Sequence, residues 1–306
     1  MSNVSRLILP QGIDFAKYYR ESEPKVKVLP ATAFLTEVLD DLRPEAESGL
    51  PTLPWESVGR KFQMRPGEVS LWAGVNGHGK SYITGQVMVS LCAQGQKVGI
   101  ASFEMRPRKT LGRMLRQAAQ AASVTTQFAH KFIDWLGGKM WLYDHQGSVH
   151  QDSLYGAIKY MAVDLGIKHV LIDSLMKCVK GEDDYNAQKN FIDTLCALAL
   201  DLDIHIHVVH HIRKLISEFA VPNKFDVKGT GSITDQVDNV MVVWRNKKKE
   251  SDFNDGLVVD STEPDAMVVC DKQRNGDWEG KIKLWVIRGP WQFVDNNELR
   301  PIDLMA

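Results

Sequence analysis

The sequence predicts an α/β fold in which helices cover a mainly parallel central sheet. Between about residue 68 and residue 244, apolar strand segments alternate with segments of helical periodicity, which is the pattern of βαβ units. A glycine-rich turn joins the first of these strands to the first long helix. Two further strands follow around an Asn-Gly turn, which is typical of a β-hairpin. The chain has 306 residues, 44% hydrophobic and 25% charged, enough for one sizeable α/β core.

The N-terminal segments differ from this pattern. We divide the chain into a tail at 1–30, a linker helix with its connector at 31–55, and the main domain at 56–306. Apolar residues lie on one helical stripe between residues 32 and 42, and Pro44 ends the pattern. The connector at 51–55 contains two prolines and is predicted to be extended. Such a stripe ahead of a complete domain must be buried against something.

The main domain is predicted element by element from its periodicity. Predicted strands cover 68–73, 98–103, 169–173, 204–211 and 239–244, and predicted helices cover 81–95, 109–122, 154–165 and 191–202. Strands at 267–270 and 282–286 form the C-terminal hairpin, with its turn at 272–277. The charged run at 247–252 is predicted to be a solvated loop.

Composition excludes several classes of protein. The four cysteines occur singly, without a C-x-x-C pair, which argues against a disulfide framework and against a zinc ribbon. No apolar run has the length of a membrane span, and the N-terminus lacks the layout of a signal peptide. We therefore expect an intracellular protein without a membrane partner. The net charge of -1 means that nucleic acid would have to be bound by a local basic lining.

The glycine-rich turn has the sequence of a phosphate-binding loop. Gly74, Gly79, Lys80 and Ser81 fill the pattern G-x-x-x-x-G-K-[ST] between a predicted strand and a predicted helix. Lys80 would reach the β- and γ-phosphates, and the Ser81 hydroxyl would hold Mg²⁺. The predicted nucleotide-binding residues are Gly74, Asn76, Gly77, His78, Gly79, Lys80 and Ser81. The alternative is a glycine-rich turn that matches by chance.

Two carboxylates follow predicted strands. Asp173 ends a buried strand, where nucleotide-binding α/β sheets place the carboxylate that holds the metal through water. Glu104 ends the strand after the loop's helix, where a carboxylate can orient and deprotonate water. The alternatives are a cap at a strand end for Asp173 and an ordinary surface charge for Glu104.

Four histidines crowd one predicted strand. His205 and His207 share a face and could bind a metal, but no further ligands follow at a suitable spacing. Packed or exposed histidines are the alternative. His211, at the end of the strand, could instead sense the γ-phosphate.

Two basic segments are candidates for contacts with phosphate. The connection between residues 212 and 238 is far longer than is usual in α/β units, and it contains Lys228, Gly229 and Gly231, which suit a close approach to a phosphate backbone. Lys272 and Arg274 lie at the predicted hairpin turn, and arginines supplied from a neighbouring subunit often drive phosphoryl transfer. A flexible loop and a solvated hairpin are the respective alternatives.

Taken in order, these motifs resemble the C-terminal motor domain of DnaB-type replicative hexameric helicases. This RecA-like family includes phage primase-helicases and the mitochondrial replicative helicase. The resemblance covers about residues 30 to 295 and is carried by the segments 74–81, 102–105, 171–174, 230–238 and 272–276. It implies a RecA-like core with ATP, or another nucleoside triphosphate or deoxynucleoside triphosphate, and Mg²⁺ as cofactors.

The resemblance also implies roles for particular residues. Glu104 would be the catalytic base and Asp173 the Mg²⁺-ordering carboxylate beside Ser81. Lys272 and Arg274 would reach the ATP of the neighbouring subunit, so the pocket should contain no arginine of its own chain. The list of DNA-binding residues would be Lys228, Gly229 and Gly231. His211 replaces the glutamine sensor of many members, as in phage-type members.

The resemblance implies a 5′-to-3′ DNA helicase that encircles single-stranded DNA as a hexamer. Primase and DNA polymerase are further expected partners, and the linker helix would dock on the adjacent protomer. The expected location is the cytoplasm of a bacterial or phage-infected cell, with mitochondria as the alternative. No complete primase precedes the motor, so the chain is a fragment of a primase-helicase, with a Toprim remnant at 1–30, or a stand-alone helicase. Functional alternatives are a RecA-like recombinase and a regulatory ATPase without unwinding activity.

Overall fold

The structure is a computed structural model, and it describes residues 31–41, 49–179, 184–213, 217, 219–229 and 231–306. The predicted N-terminal tail at 1–30 lies outside these residues. The helices are α1 (Leu35–Asp41), α2 (Lys80–Ala93), α3 (Pro107–Ala119), α4 (Thr126–Leu136), α5 (Gln151–Val163), α6 (Tyr185–Leu202), α7 (Gly231–Gln236) and α8 (Lys247–Asn254). None of these described helices is both long and apolar enough to cross a membrane.

Within the described residues, nine strands form one sheet. They are β1 (Val69–Gly74), β2 (Val98–Ser102), β3 (Met140–Leu142), β4 (His169–Asp173), β5 (His205–His211), β6 (Asn239–Arg245), β7 (Ala266–Gln273), β8 (Gly280–Ile287) and β9 (Gln292–Val294). Their order is β3-β2-β4-β5-β1-β6-β7-β8-β9. The pairs from β3 to β6 are parallel, and those from β6 to β9 are antiparallel. The predicted parallel sheet with a C-terminal hairpin is confirmed.

Side chains alternate across the sheet and build one apolar core on each face. On one face, Leu71 and its neighbours pack with residues of α5, α6 and α7. On the other face, Trp72 packs with residues of α2, α3 and α4 and with the antiparallel strands. The carboxyl ends of β1, β2, β4 and β5 therefore meet between the two helical layers, and this edge carries the candidate site.

Some elements differ from the predictions. The charged run predicted as a loop is part of α8, so that prediction is wrong. The Asn246 side chain accepts a hydrogen bond from Lys249 N at 3.0 Å and caps the helix. The Lys249 ammonium is buried and lies 2.9 Å from an Asp265 carboxylate oxygen. This partner, 16 residues away, is not visible in the local pattern. Strands β3 and β9 have three residues each, too few for a periodicity.

The N-terminal segments separate into an exposed helix and a packed connector. In α1, Leu35, Val38 and Leu39 are 59%, 48% and 52% exposed, so these three residues of the predicted apolar stripe lie open, while Leu42 lies outside the described residues. Trp55 in the connector is fully buried and donates from Nε1 to Phe293 O at 2.9 Å. The packed core therefore begins before the predicted boundary at residue 56.

Three histidines form a buried stack within the sheet. His169, His205 and His207 have ring centroids 4.5 to 5.6 Å apart. His205 Nε2 lies 2.8 Å from Ser70 Oγ, and His205 Nδ1 lies 2.7 Å from Arg65 O. Among the described residues, no group of three His, Cys, Asp or Glu side chains is arranged to hold a metal ion. The stack therefore has the geometry of a packed, hydrogen-bonded layer.

This stack makes stability depend on pH. Burial lowers the pKa of His205 from 6.5 to about 4, and it lowers the pKa of His169 and of His207 in the same direction. Between pH 6.5 and pH 4 the unfolded chain binds more protons at these groups than the folded chain. The free energy of unfolding is therefore highest above pH 6.5 and falls as the pH falls through that window.

We expect the midpoint of urea unfolding to decrease from pH 7 to pH 4.5, and to decrease less in the variant His205→Gln. Glutamine keeps a donor for Arg65 O but does not titrate. The exposed His130 provides the matched control, because His130→Gln should retain the wild-type pH dependence. An equal decrease in all three proteins would contradict this assignment.

Candidate active site

The loop between β1 and α2 has the backbone of a phosphate cradle. A Cβ atom at Gly74 would lie 2.5 Å from Val243 O, so only glycine fits at this position. Gly79, with φ 92°, adopts a left-handed conformation immediately before the first turn of α2. The free N–H groups at the start of α2 therefore face the loop, where they and the helix dipole favour an anion.

Lys80 lies at the base of this loop. Its ammonium group donates to Gly74 O at 2.8 Å and to Val75 O at 3.1 Å. Burial lowers the pKa of Lys80 from 10.5 to about 8, while Asp173 and Glu104 act in the opposite direction. A phosphate at the loop would offer this buried cation a stronger acceptor than the two carbonyl groups.

Ser81 and Asp173 form the candidate Mg²⁺ site. Ser81 Oγ donates to Asp173 Oδ2 at 2.8 Å, across the edge between α2 and β4. Burial raises the pKa of Asp173, although the hydrogen bond from Ser81 acts against this. A hydroxyl group and a carboxylate are oxygen ligands of the kind that Mg²⁺ prefers. The residues present therefore fit the ion, which would supply Lewis-acid stabilisation of the phosphate oxygens.

Glu104 lies next to this pair, just beyond β2. Its Oε1 accepts a hydrogen bond from Ser174 Oγ at 2.8 Å and lies 3.8 Å from His211 Nε2. The pKa of Glu104 is lowered to about 2, and the hydrogen bond with His211 is the largest cause. Burial raises this pKa, and the hydrogen bond from Ser174 lowers it further. The carboxylate is therefore ionised at neutral pH and held in place from two sides.

These groups share one cavity of about 510 Å³. Its lining residues are Asn76, Gly77, Gly79, Lys80, Ser81, Tyr82, Glu104, Met105, Arg113, Asp173, His211, Arg245 and Trp291. The structure thus brings together the loop, the two carboxylates and His211, as the sequence predicted. A polar cavity of this size, with a lysine, a hydroxyl group and two carboxylates, can hold a nucleoside triphosphate with its metal ion.

Sequence reasoning missed one wall of this cavity. The Arg113 guanidinium lies 4.4 Å from the centre of the Tyr82 ring, and Tyr82 stacks on Trp291 at 5.5 Å. The Arg245 guanidinium lies 4.6 Å from the centre of the Trp291 ring. Tyr82 follows Ser81 directly and could have been found from its position. The expectation that the pocket contains no arginine of its own chain is wrong.

His78 does not line the cavity. Its side chain is buried, and its Nδ1 accepts a hydrogen bond from Arg245 N at 3.2 Å. Burial, with the nearby positive charge of Lys247 as the next cause, lowers the pKa of His78 to about 4. The His78 side chain thus fixes the loop to the end of β6, and phosphate binding by the backbone of this residue stays a prediction. Gly74 is likewise a packing position outside the lining.

Lys272 and Arg274 lie away from this cavity. The Lys272 ammonium donates to Thr234 O, Asp235 O and Val237 O at 2.7 to 2.8 Å. Arg274 pairs with Asp238 Oδ1 at 2.8 Å and donates to two further carbonyl groups beside α7. Both cations satisfy free carbonyl groups at the C-terminal end of α7, a favourable position for positive charge. Within one chain they do not contact the candidate site.

The end of the long loop is attached to β5. Lys228 N donates to His211 O at 3.0 Å, and Lys228 O lies 2.7 Å from His210 Nε2. A Cβ atom at Gly229 would lie 2.7 Å from a Gln188 side-chain oxygen, so glycine is required there. Gly231 is the first residue of α7. Lys228, one of the predicted DNA-binding residues, is thus hydrogen-bonded to the backbone of His211, whose ring lies beside Glu104.

Comparisons with known proteins agree with this arrangement. A family model described as an AAA domain matches residues 46–216, more than half of the chain. The solved ATPase domain of G40-P is 17% identical with a TM-score of 0.70, covering 87% of this chain and 98% of that one. A solved DnaB-like replicative helicase, described with its interactions with primase, is 17% identical with a TM-score of 0.68, covering 87% of this chain and 67% of that one.

At these identities the solved structures establish the fold, and the family model establishes membership. The predicted resemblance to DnaB-type motor domains is confirmed at the level of the fold. The chain therefore belongs to the AAA domain family and has the RecA-like fold of DnaB-like helicase ATPase domains.

Proposed function

We propose that this protein is an ATP-hydrolysing motor that moves along single-stranded DNA and unwinds duplex DNA in replication. One observation carries the proposal: Lys80, Ser81, Asp173 and Glu104 converge in one cavity of a DnaB-like fold. The proposal includes assembly as a hexameric ring and movement from 5′ to 3′. Primase is a proposed partner because a solved relative is described with its interactions with primase. We also propose a DNA polymerase as a partner and the cytoplasm as the location.

In the proposed reaction, each residue of the cavity has one task. Lys80 and the N–H groups of the loop would bind the β- and γ-phosphates, and Ser81 would hold Mg²⁺, with Asp173 acting on the ion through water. Glu104, ionised and oriented by Ser174, aligns the attacking water and accepts its proton. His211 lies between Glu104 and the long loop, so it is the proposed sensor that connects the γ-phosphate to DNA binding.

The proposed role of Lys272 and Arg274 requires them to change partners. In the single chain they bind the end of α7, whereas the proposed motor uses them at the ATP of the adjacent subunit. The side chain of Arg274 is 48% exposed and that of Asp238 is 11% exposed, so leaving the end of α7 costs one ion pair and two hydrogen bonds, which contacts with a phosphate would replace. The open stripe of α1 supports assembly, because docking on an adjacent protomer would bury Leu35, Val38 and Leu39.

A regulatory ATPase without unwinding activity is the second candidate. It is favoured by the two arginines that already line the cavity within one chain. However, Arg245 is paired with Glu250 at 2.6 Å, and Arg113 lies on the Tyr82 ring. Both guanidinium groups thus lie along the aromatic wall formed by Tyr82 and Trp291. We therefore propose that Arg113 and Arg245 contact the nucleoside. Arg274 of the adjacent subunit would supply the positive charge at the phosphates.

The proposed DNA contact is tested by the variant Lys228→Ala. We expect weaker binding of labelled oligo-dT and a salt dependence whose logarithmic slope falls by about 0.7, the value for one lost phosphate contact on a single strand. ATP turnover without DNA controls for folding, and Lys283→Ala on exposed β8 provides a matched loss of charge. Unchanged DNA binding would exclude this contact.

The unwinding activity itself is tested with duplexes that carry one single-stranded tail. The proposal predicts ATP turnover stimulated by oligo-dT and unwinding from a 5′ tail only. Turnover that DNA does not stimulate, with neither duplex unwound, would support the regulatory ATPase.

A further inference from the structure

A long segment after Glu104 has an unusual charge. Residues 105–133 contain six lysines or arginines and no aspartate or glutamate, in a chain whose net charge is -1. Five of these six cations lie within or directly before α3. The proposed function uses only Arg113, at the wall of the nucleotide cavity. The remaining positive charge has no role in that site.

The cations of α3 line a groove of about 610 Å³ beside the nucleotide cavity. Lys109, Arg113 and Arg116 are spaced by four and three residues, so they lie on one face of the helix. Gly112 lies between them, and no atom is within 4 Å of the position that its Cβ would take. The groove is lined by Tyr82, Arg108, Lys109, Gly112, Arg113 and Arg116.

These charges lack compensation within the described chain. No carboxylate of the described residues lies within 4 Å of the side chains of Arg108, Lys109 or Arg116. All three side chains are exposed. Like charges at this spacing destabilise a helix, and cations in its first turn oppose the helix dipole. These uncompensated cations therefore destabilise α3 in the free protein. A bound anionic ligand would neutralise their charge, and this would explain why they are present.

The shape and position of the groove indicate the class of anion. From Lys109 to Arg116 the helix rises about 10 Å, so its cations are spread over a length that more than one phosphate of a nucleic-acid backbone can span. Tyr82 is the one aromatic residue of the groove, and its ring is already contacted by Trp291 and Arg113. It is the one apolar side chain among the six lining residues, so an amphipathic helix of another protein would find little to pack against.

This groove is separate from the long loop. Met114 and Ala118 of α3 belong to the core on one face of the sheet, whereas Ile233 of α7 belongs to the core on the other face. We propose that the α3 groove is a second nucleic-acid site, which binds the phosphate backbone of single-stranded DNA on the opposite side of the sheet from the loop at 219–229. The double reversal Lys109→Glu/Arg116→Glu tests the groove without altering any residue assigned to catalysis.

The experiment measures binding of fluorescein-labelled oligo-dT to the full chain at several salt concentrations. Loss of two phosphate contacts alone should weaken binding about 25-fold at 0.1 M salt and lower the logarithmic salt slope by about 1.4; repulsion by the two new carboxylates should add to this loss. The effect should persist when Lys228→Ala is also present. The matched control is Lys281→Glu/Lys283→Glu, which reverses two exposed charges on β8 and should bind as wild type.

Two results would overturn the proposal. Wild-type affinity and slope in the double reversal would show that the groove does not bind DNA. A changed oligomeric state in light scattering, with DNA affinity unchanged, would instead assign the groove to contacts between copies of the chain. ATP turnover without DNA is measured in parallel. If the wild-type protein does not hydrolyse ATP, the motor proposal is contradicted, whereas the DNA-binding measurement still tests the groove.

Discussion

Replacing Glu104 by glutamine is expected to leave ATP binding intact and to slow hydrolysis by about 10²- to 10⁴-fold. Glutamine preserves the shape of the side chain and an acceptor for Ser174, but it cannot accept the proton of water. Because the pKa of Glu104 is about 2, a pH profile in the range where the protein is folded would not show its titration. The substitution is therefore the direct test of its role.

The measurement is phosphate release at saturating ATP, with a fluorescent nucleotide to determine affinity separately. The matched control is Glu56→Gln, which changes an exposed carboxylate outside the cavity lining. A decrease of less than about tenfold in Glu104→Gln would be too small for a general base. That outcome would show that another group acts as the general base.

Replacing Arg274 by alanine is expected to reduce DNA-stimulated hydrolysis by about 10³-fold or more, the effect of a missing arginine finger. Nucleotide binding should change far less, because the cavity of the same chain does not include Arg274. A competing explanation exists in the structure, since Arg274 also pairs with Asp238 beside α7.

The variant Asp238→Asn separates the two explanations. It removes the charge partner of Arg274 but leaves the guanidinium free to reach a neighbouring subunit. If Arg274 acts on phosphate, Asp238→Asn retains hydrolysis while Arg274→Ala loses it. Equal losses in both variants would assign Arg274 to holding α7. Arg245→Ala, within the cavity, shows what an arginine of the same chain contributes.

Much of the candidate site follows from the sequence because it depends on local rules. Gly79 caps α2, and Lys80 and Ser81 are the first two residues of this helix, directly after the loop that follows β1. Asp173 and Glu104 follow buried parallel strands, and parallel strands end at the same edge of a sheet. Their convergence in one cavity could therefore be predicted. Their catalytic roles stay predictions that the variants above test.

The remaining features depend on contacts between distant segments. Trp291 lies directly before the three-residue strand β9. Gln117 donates a hydrogen bond to Trp291 O, and Gln86 accepts one from Phe293 N, each across more than 170 residues. No local pattern contains that information. The helix α4, by contrast, could have been predicted from the sequence but was not. Phe128, Phe132 and Leu136 recur at helical spacing after the capping residue Thr125.

Mixing two inactive variants tests the central claim most directly, namely that each ATP site is completed by the adjacent subunit. Glu104→Gln retains Arg274 and lacks the base, whereas Arg274→Ala retains the base and lacks the finger. In a ring of head-to-tail contacts, an equal mixture places an intact pocket beside an intact finger at about a quarter of the interfaces. The account predicts that the mixture hydrolyses ATP in the presence of oligo-dT while each variant alone does not. A mixture that stays as inactive as its components, under conditions where mixed assembly is observed, would contradict it.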